Sequence, residues 1–272
     1  MRFDVLTIFP AFFDGFLTHG IVRRALERGQ VAIGIHNLRD WTYDRHQVVD
    51  DRPYGGEDGM VLKPEPIVRA VEALTHGQAD PAIILLSPQG RRFDQAAALR
   101  LSQRTQVVLI CGRYEGVDER IAEHVATEEL SIGDYVLSGG EPAAMVVMDA
   151  VIRLVPEVLG SPTSARHESF QTGRLDYPVY TRPATYRGWS VPAELLTGNH
   201  AEVELWRRRA ALRKTLRYRP DLLTDPTRLD DTDRRLLTEL LSASATPPAR
   251  QAPSILACEE TRDHDQARTA GC

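Results

Sequence analysis

The stretch SIGDYVLSGGE, at residues 131–141, decides how the rest of the chain is organised around it. Glycine occupies positions 133, 139 and 140, directly before Glu141, Pro142 and an apolar run. Glycine allows positive φ and close approach of the backbone to a ligand, and proline suits the first turn of a helix. The stretch therefore predicts a tight binding loop that leads into a helix. It contains neither G-x-G-x-x-G nor G-x-x-x-x-G-K-[ST], so any cofactor is held without either of these phosphate-binding motifs.

Short apolar strands and helices alternate on both sides of this loop. Strands are predicted at Ala82–Leu86, Val107–Cys111 and Glu128–Ile132. Helices are predicted at Gln95–Ser102, Asp118–Val125 and Ala143–Leu154. Short continuous apolar strands that alternate with helices are typical of a parallel sheet covered on both faces, so the predicted fold class is α/β.

A polar or glycine-rich loop follows each of these three strands. SPQGRR begins at Ser87, CGRYEGVDER begins at Cys111, and the stretch at 131–141 follows the third strand. In open α/β sheets, ligands bind outside the carboxyl ends of the strands. We therefore expect the three loops to form one pocket.

The remaining elements are less regular. Strands are predicted at Phe3–Ile8 and Val31–His36, and helices at Pro10–Arg28, Pro64–Leu74, Ala201–Arg217 and Thr232–Leu241. Residues 38–60 show no sustained period of 2 or 3.6, and a loop of this length is usually functional or disordered. Its aromatic residues Trp41, Tyr43 and Tyr54 favour an ordered, functional loop.

Composition places the chain among ordinary globular proteins. It has 272 residues, of which 42% are hydrophobic and 26% charged, and its net charge is −5. The three cysteines lack the spacing of a disulfide framework or a thiolate zinc site. No stretch approaches the roughly 20 apolar residues of a membrane span, and the amino terminus lacks the pattern of a signal peptide. These features predict a cytoplasmic protein that does not enter a membrane.

Six motifs in order resemble the bacterial tRNA (guanine-N1)-methyltransferase family of the SPOUT superfamily. They are VDDRPYGGEDGM, LSPQGRRFDQ, CGRYEGVDER, SIGDYVLSGGEPAAM, SF-x₄-LDYPVYTRP and LLTGNHAEVELWRR. The resemblance covers about residues 1–225. It implies a parallel sheet with a deep trefoil knot, S-adenosylmethionine held in the knotted loops, and a homodimer whose active sites use both subunits. The implied reaction is methylation of guanine N1 at the tRNA nucleotide immediately 3′ of the anticodon.

The resemblance also implies a domain organisation. Residues 1–160 would form the methyltransferase domain, 161–185 a linker, 186–242 a smaller helical tRNA-binding domain, and 243–272 a disordered tail. Residues 201–219 carry seven Lys or Arg against two Glu, which suits contact with tRNA phosphates. A solvated helix face is the commoner reason for such a row of basic side chains.

Methylation of guanine N1 requires a base to remove the N1 proton and a cation near O6, where negative charge develops. By resemblance, the base is Glu168 and the cation is Arg153. Family members commonly have aspartate where this chain has Glu168, and glutamate keeps the carboxylate but adds a methylene. Two ordinary explanations remain open: Glu168 is a solvated linker charge, or Arg153 only stabilises the end of its helix.

The cofactor contacts implied by the resemblance lie in the three loops. They are Leu85, Ser87, Pro88, Gly112, Arg113, Tyr114, Glu115, Ile132, Gly133, Tyr135, Leu137, Ser138, Gly139 and Gly140. Glu115 is also a possible ligand for Mg²⁺, although a single carboxylate does not define a metal site. A plain tight turn is the alternative explanation for the glycine pair.

The substrate contacts implied by the resemblance lie outside these loops. They are Asp50, Arg52, Tyr54, Gly55, Gly56, Asp176, Arg182, Arg209 and Arg213. The carboxylates would read the amine of guanine while Tyr54 or Arg52 orients the base. The alternative for this loop is a surface turn made rigid by Pro53.

Two other functions remain to be compared with methyl transfer. A nucleotide-dependent oxidoreductase of α/β fold is disfavoured because the dinucleotide fingerprint is missing. A non-catalytic RNA-binding protein of the SPOUT fold would be recognised by the loss of a working base. Glu168 is the residue on which this second distinction depends.

Overall fold

The computed structural model describes residues 1–159, 168–225, 227 and 229–244. The chain divides into one unit of residues 1–176 with 218–224, and a second unit of residues 177–217 with those from 225 onward. Residue 160, residues 161–167 of the predicted linker and residues 245–272 of the predicted disordered tail lie outside the described residues. The predicted domain boundaries stay a prediction.

Five parallel strands form the centre of the first unit. The strands among the described residues are β1 (Arg2–Thr7), β2 (Ala32–Asn37), β3 (Asp50–Asp51), β4 (Val61–Leu62), β5 (Ala82–Arg92), β6 (Gln106–Cys111), β7 (Glu128–Ser131), β8 (Thr185–Tyr186) and β9 (Trp189–Ser190). The main sheet has the order β2-β1-β6-β5-β7, and each neighbouring pair is parallel. This sheet confirms the predicted α/β class.

Helices cover both faces of the sheet. The helices of the first unit are α1 (Asp14–Leu17), α2 (Gly20–Glu27), α3 (Pro64–Thr75), α4 (Gln95–Ser102), α5 (Glu119–His124) and α6 (Glu141–Ile152). Two further helices, α7 (His200–Tyr218) and α8 (Asp231–Ser244), follow in the chain. Buried residues of α2, α4 and α6 form one core with Phe3 and Val5 of β1. Buried residues of α3 and α5 form a second core with Leu6, on the opposite face of the same strand. The central strand β6 is buried along its whole length, as its apolar run QVVLIC requires.

The prediction of a loop at SPQGRR was wrong in one respect. Strand β5 continues to Arg92, and its pairing with β7 shifts register between Leu86 and Arg91. At Gly90 an added Cβ would lie 2.5 Å from the carbonyl carbon of Glu129, so only glycine lets the chain return to the sheet. These polar residues therefore form a bulge within a strand. Their polarity is the reason that the sequence predicted a loop.

The prediction of one helix from Pro10 to Arg28 was also wrong. A 3-10 helix at Pro10–Phe13 and the short α1 precede α2. The hydroxyl of Thr18 donates to the carbonyl of Asp14 at 2.9 Å, which satisfies an end carbonyl of α1. Gly20, the first residue of α2, takes φ +64°, a conformation that glycine adopts readily and that interrupts the run of helical backbone.

The second unit contains an antiparallel hairpin of β8 and β9, followed by α7 and α8. Ala211, Leu212 and Leu236 are its buried apolar residues on the two helices. Arg208 of α7 donates to Asp233 of α8 at 2.9 Å and also pairs with Asp230. Across the described residues of both units, no helix has the length and apolar character needed to cross a membrane.

Candidate active site

A cavity of about 350 Å³ lies beside the carboxyl ends of β5, β6 and β7. The 87–92 bulge, the loop after β6 and the loop after β7 all contribute to its walls. All fourteen predicted cofactor residues line it: Leu85, Ser87, Pro88, Gly112, Arg113, Tyr114, Glu115, Ile132, Gly133, Tyr135, Leu137, Ser138, Gly139 and Gly140. The structure therefore brings together the three loops that the sequence predicts to form one pocket, and their role in cofactor binding stays a prediction.

The loop after β7, residues 131–140, closes tightly on the end of β6. The amide of Gly140 donates to the carbonyl of Gly112 at 2.9 Å. A Cβ at Gly140 would lie 2.7 Å from the Cα of Cys111, so any side chain there would push the two backbones apart. A Cβ at Gly139 would collide with the side chain of Arg113. Close approach of the two backbones therefore requires glycine at position 140, whereas a side chain at position 139 would displace the side chain of Arg113.

The loop after β6, residues 112–118, is fixed from the other side by residues 60–62. The amide of Glu115 donates a hydrogen bond to the carbonyl of Met60 at 3.0 Å. The amide of Leu62 donates to the carbonyl of Gly116 at the same distance. Tyr114 takes φ +61°, an uncommon conformation for a non-glycine residue that occurs here in the cavity wall.

Glu115 is the predicted candidate for a magnesium ligand. Its side chain lies against Gly59, where an added Cβ would be 2.8 Å from the carboxylate oxygen Oε1. Among the described residues, no group of three His, Cys, Asp or Glu side chains is arranged to hold a metal ion. A role for Glu115 in binding Mg²⁺ stays a prediction.

Behind the cavity wall lies a buried ionic network that the sequence analysis missed. Glu141, the first residue of α6, is fully buried. Its Oε1 accepts a hydrogen bond from the Thr7 hydroxyl at 2.6 Å, and its Oε2 accepts one from Nε of Arg113 at 2.8 Å. The sequence signal was an acidic residue at the start of a helix whose one other polar residue is Asp149. Burial and the nearby Glu141 raise the pKa of the Cys111 thiol well above its usual value, so this cysteine stays protonated.

The two predicted catalytic residues contact each other. An NH2 group of Arg153 donates to Oε1 of Glu168 at 2.7 Å, and the two side chains are 38% and 31% exposed. Arg153 directly follows α6. The segment after Glu168 folds back on itself, because the amide of Phe170 donates to the carbonyl of Arg174 at 2.8 Å. Neither Arg153 nor Glu168 lines the 350 Å³ cavity of the described chain.

The predicted guanine-binding loop is exposed. Asp50 belongs to β3, which pairs with β4 in an antiparallel ribbon. Tyr54 is fully exposed, and Gly55 and Gly56 take φ +98° and +84°. Arg52 is also exposed, whereas Asp176 is half-buried. The positive φ values explain why glycine is needed at this turn.

The predicted tRNA-contact residues of the second unit differ in their surroundings. Arg182 and Arg213 are exposed. Arg209 pairs with Glu239 of α8 at 2.8 Å. The row of basic side chains on α7 is therefore used in part for packing α7 against α8.

Comparison with known proteins gives a consistent result. A family profile described as tRNA (Guanine-1)-methyltransferase TrmD matches residues 1–225. The chain is 58% identical over 240 residues to a tRNA (guanine-N(1)-)-methyltransferase of Geobacter metallireducens, which covers 88% of this chain and 98% of the relative. It is 55% identical over 240 residues to a protein of the same name from Geobacter sulfurreducens, with the same coverage. A relative of that name from Dehalococcoides mccartyi is 52% identical over 243 residues, covering 89% of this chain and 98% of the relative.

Proposed function

Because the chain belongs to the TrmD family of tRNA (guanine-N1)-methyltransferases, we propose that its three-loop pocket holds S-adenosylmethionine for methyl transfer to tRNA. The reaction itself is the methylation of guanine N1 in tRNA, on which the family and the relatives agree. The observation that carries the site assignment is the enclosure of one cavity by all fourteen predicted cofactor residues. The proposed target is the guanosine immediately 3′ of the anticodon.

The pocket fits a methyl donor built on a nucleoside. Its volume of about 350 Å³ is within the range of small-molecule sites. The apolar side chains of Leu85, Leu86 and Ile132 offer a surface to a flat base, and the glycine-rich 131–140 loop offers backbone donors and acceptors. S-adenosylmethionine supplies, when bound, a methyl group activated by a sulfonium. The trefoil knot belongs to the same proposal, and the close contact of the 131–140 loop with the end of β6 supports it.

The catalytic groups proposed are Glu168 and Arg153. Guanine N1 carries a proton, and its lone pair becomes available only when a base removes that proton. Glu168 would accept it, while Arg153 would stabilise the negative charge that develops on O6. Their ion pair supports this assignment, because a guanine that entered between them would offer its proton to the carboxylate and its oxygen to the guanidinium. A positioned base contributes typically about 10²–10⁴-fold to the rate.

We assign the predicted homodimer to the exposed side of α6. On this side Val146 is 47% exposed, Met145 is half-buried, and the exposed Asp149 lies one turn after Val146. Glu141 and Asp149 are the only polar residues of α6, and the exposed apolar side chains of such a helix suit contact with another protein surface. Arg153 directly follows this helix in the sequence. A second copy of the chain bound to α6 would therefore suit an active site that the partner completes. Val146→Glu should shift the sedimentation coefficient to that of a monomer and abolish methyl transfer.

Two surfaces are proposed to hold the tRNA. The 50–56 turn, with Asp50, Arg52 and the exposed Tyr54, would orient the target base. In the second unit, residues 177–217 carry eight Lys or Arg against three Glu, a net charge of +5 in a chain whose total is −5. Arg213→Ala should weaken tRNA binding and reduce the slope of log affinity against log salt by about one. Glu239→Ala is the matched control that would free Arg209 without removing a positive charge.

The proposed requirement for Mg²⁺ rests on Glu115. Glu115 is a single carboxylate on the cavity wall, and Mg²⁺ held by one or two carboxylates keeps several waters. Activity measured in EDTA and then with added MgCl₂ tests the requirement. A Glu115→Gln enzyme whose rate no longer responds to MgCl₂ would assign the ion to this residue.

The central experiment measures methyl transfer to a tRNA transcript together with calorimetric binding of S-adenosylmethionine. Glu168→Gln should lower the turnover by about 10²-fold or more while cofactor affinity stays the same, and Glu168→Asp should remain active. Glu128→Gln is the matched control, because Glu128 pairs with Arg100 at 2.8 Å and their side chains are 22% and 41% exposed. This control should behave as wild type.

Other outcomes would separate the alternatives. Wild-type turnover in Glu168→Gln would remove this residue from the mechanism. Binding of tRNA without any methyl transfer by the wild-type chain would indicate a non-catalytic RNA-binding protein. Binding of NAD(P) instead of S-adenosylmethionine would indicate the oxidoreductase that the missing fingerprint disfavours.

A further inference from the structure

We propose that Glu141 is a positioning residue for methyl transfer, whose buried carboxylate acts through Arg113 to hold the 131–140 loop in its ligand-binding conformation. This inference rests on the proposed function of the pocket as the S-adenosylmethionine site. It concerns a residue that lies behind the cavity wall and that the mechanism above does not use.

Glu141 joins three parts of the first unit. It opens α6 and is fully buried. Its Oε1 accepts from Oγ1 of Thr7, the last residue of β1, at 2.6 Å. Its Oε2 accepts from Nε of Arg113, the second residue after β6, at 2.8 Å. The carboxylate therefore ties the ends of two neighbouring strands to the start of the helix that follows the 131–140 loop.

Arg113 carries this connection into the cavity wall. Its NH1 group donates to the carbonyl of Ser138 at 3.1 Å, and its backbone forms an antiparallel bridge with Gly139. The Arg113 side chain packs so closely on Gly139 that no Cβ fits there. On its outer side the guanidinium lies 4.6 Å from the centre of the Phe9 ring. Arg113 thus fixes two consecutive residues of the loop, and Glu141 fixes Arg113.

A buried carboxylate at position 141 costs free energy because it loses its hydration, and most of the other residues of α6 pack in the apolar core. An apolar residue at position 141 would leave Arg113, which is 14% exposed, without its anionic partner. The guanidinium would then turn towards solvent and release the carbonyl of Ser138. The expected consequence is a looser loop, and hence weaker binding of the ligand that the loop encloses.

The test compares two buried carboxylates that differ in position. Calorimetry with S-adenosylmethionine, thermal unfolding and steady-state methyl transfer are measured for wild type, Glu141→Gln and Asp4→Asn. Asp4 is equally buried and also pairs with an arginine, but it lies among the strands and does not line the cavity. We expect Glu141→Gln to raise Kd and KM for S-adenosylmethionine about tenfold or more, with a much smaller change in kcat at saturation. Asp4→Asn should lower Tm and leave Kd unchanged.

Thr7 supplies a milder pair of variants that keeps the test decisive if Glu141→Gln does not fold. Thr7→Val removes the hydroxyl that donates to Glu141 and accepts from the amide of Phe9. It should raise Kd about threefold or more, and Thr7→Ser should restore wild-type affinity. An unchanged Kd in Glu141→Gln would overturn the positioning role, and so would an unchanged Kd in Thr7→Val if Glu141→Gln does not fold, or an equal rise of Kd in Asp4→Asn. If wild type itself fails to bind S-adenosylmethionine, the proposed function of the pocket is refuted instead.

Discussion

Strand β1 has a buried carboxylate near each of its ends, and the two are held in different ways. Asp4 lies on the strand itself and accepts hydrogen bonds from Arg2, from His36 at 2.8 Å and from Gln106 at 2.8 Å. All three donors belong to β1 or to its neighbours β2 and β6. At the other end, Glu141 reaches Thr7 from a helix and holds Arg113 of a loop.

The difference lies in what each carboxylate fixes. Around Asp4, the parallel ladder already holds the backbone, so its hydrogen bonds add stability without changing the shape of a site. Around Glu141 the ladder has ended, and the side-chain contacts themselves determine where the loops lie. Loss of the carboxylate at Asp4 should therefore lower the free energy of unfolding, whereas loss of the carboxylate at Glu141 should lower the affinity for the ligand.

Gly140→Ala, in the loop that Glu141 supports, should have the largest effect on ligand affinity. The new Cβ would lie 2.7 Å from the Cα of Cys111, and backbone cannot move aside as a side chain does. The 131–140 loop would have to leave its hydrogen bond to Gly112. We expect Kd for S-adenosylmethionine, measured by calorimetry, to rise about 30-fold or more. Wild-type affinity in this variant would contradict the proposed role of the loop.

Asp4→Ala should instead lower the stability of the fold. It removes the acceptor of Arg2, His36 and Gln106, of which the Gln106 amide is buried. We expect the free energy of unfolding in urea to fall by about 2–4 kcal/mol. The folded fraction should bind S-adenosylmethionine with wild-type affinity. A large rise of Kd would show that the two ends are not independent.

The pattern of the sequence was sufficient for the sheet but not for these two clusters. Apolar runs such as QVVLIC at 106–111 predict a buried strand because burial on both faces leaves no place for polar residues. Asp4 interrupts such a run, and Glu141 opens an apolar helix. Arg2 is a local partner of Asp4, but the partners that complete the two clusters are distant in sequence: Gln106 and Thr7 are more than a hundred residues from Asp4 and Glu141 respectively.

The residues that line the cavity were predicted more fully than the buried network of Glu141, Thr7 and Arg113 behind them. Glycines mark backbone that approaches other backbone, so the loops at Gly112 and Gly140 could be recognised from residue type and from resemblance. The 87–92 bulge was mistaken for a loop, since its polar side chains gave no sign that Arg91 pairs again with β7. The roles of Arg153 and Glu168 came from resemblance alone, and their ion pair was not predicted, because no periodicity relates the two positions.

Gly34→Ala is the counterpart of the Gly140 variant at the strand end. An added Cβ would lie 2.7 Å from Nε2 of His36 and 2.9 Å from Oδ1 of Asp4, both of which are side-chain atoms that can shift. We expect a loss of about 1–2 kcal/mol in the free energy of unfolding and no change in Kd. Equal losses of affinity in the Gly34 and Gly140 variants would remove the distinction between the two ends.

The smallest expected effect is a pH dependence of the free energy of unfolding that comes from Asp4. Burial raises the pKa of Asp4, but hydrogen bonds from His36, Arg2 and Gln106 lower it more, so the net pKa is well below its usual value. A carboxyl with a lowered folded pKa stabilises the fold above its unfolded pKa of about 3.9, and this contribution disappears as pH falls through the folded pKa.

Urea unfolding of wild type and Asp4→Asn at several pH values measures this contribution directly. The difference in free energy of unfolding should be about 1 kcal/mol smaller at pH 3 than at pH 5. Arg2 stays charged in both proteins over this range, which lies below the titration range of histidine, so the change in the difference reports the carboxyl at position 4. A difference that stays constant down to pH 3 would mean that Asp4 gains nothing from its charge, and the strand end would then owe its stability to packing alone.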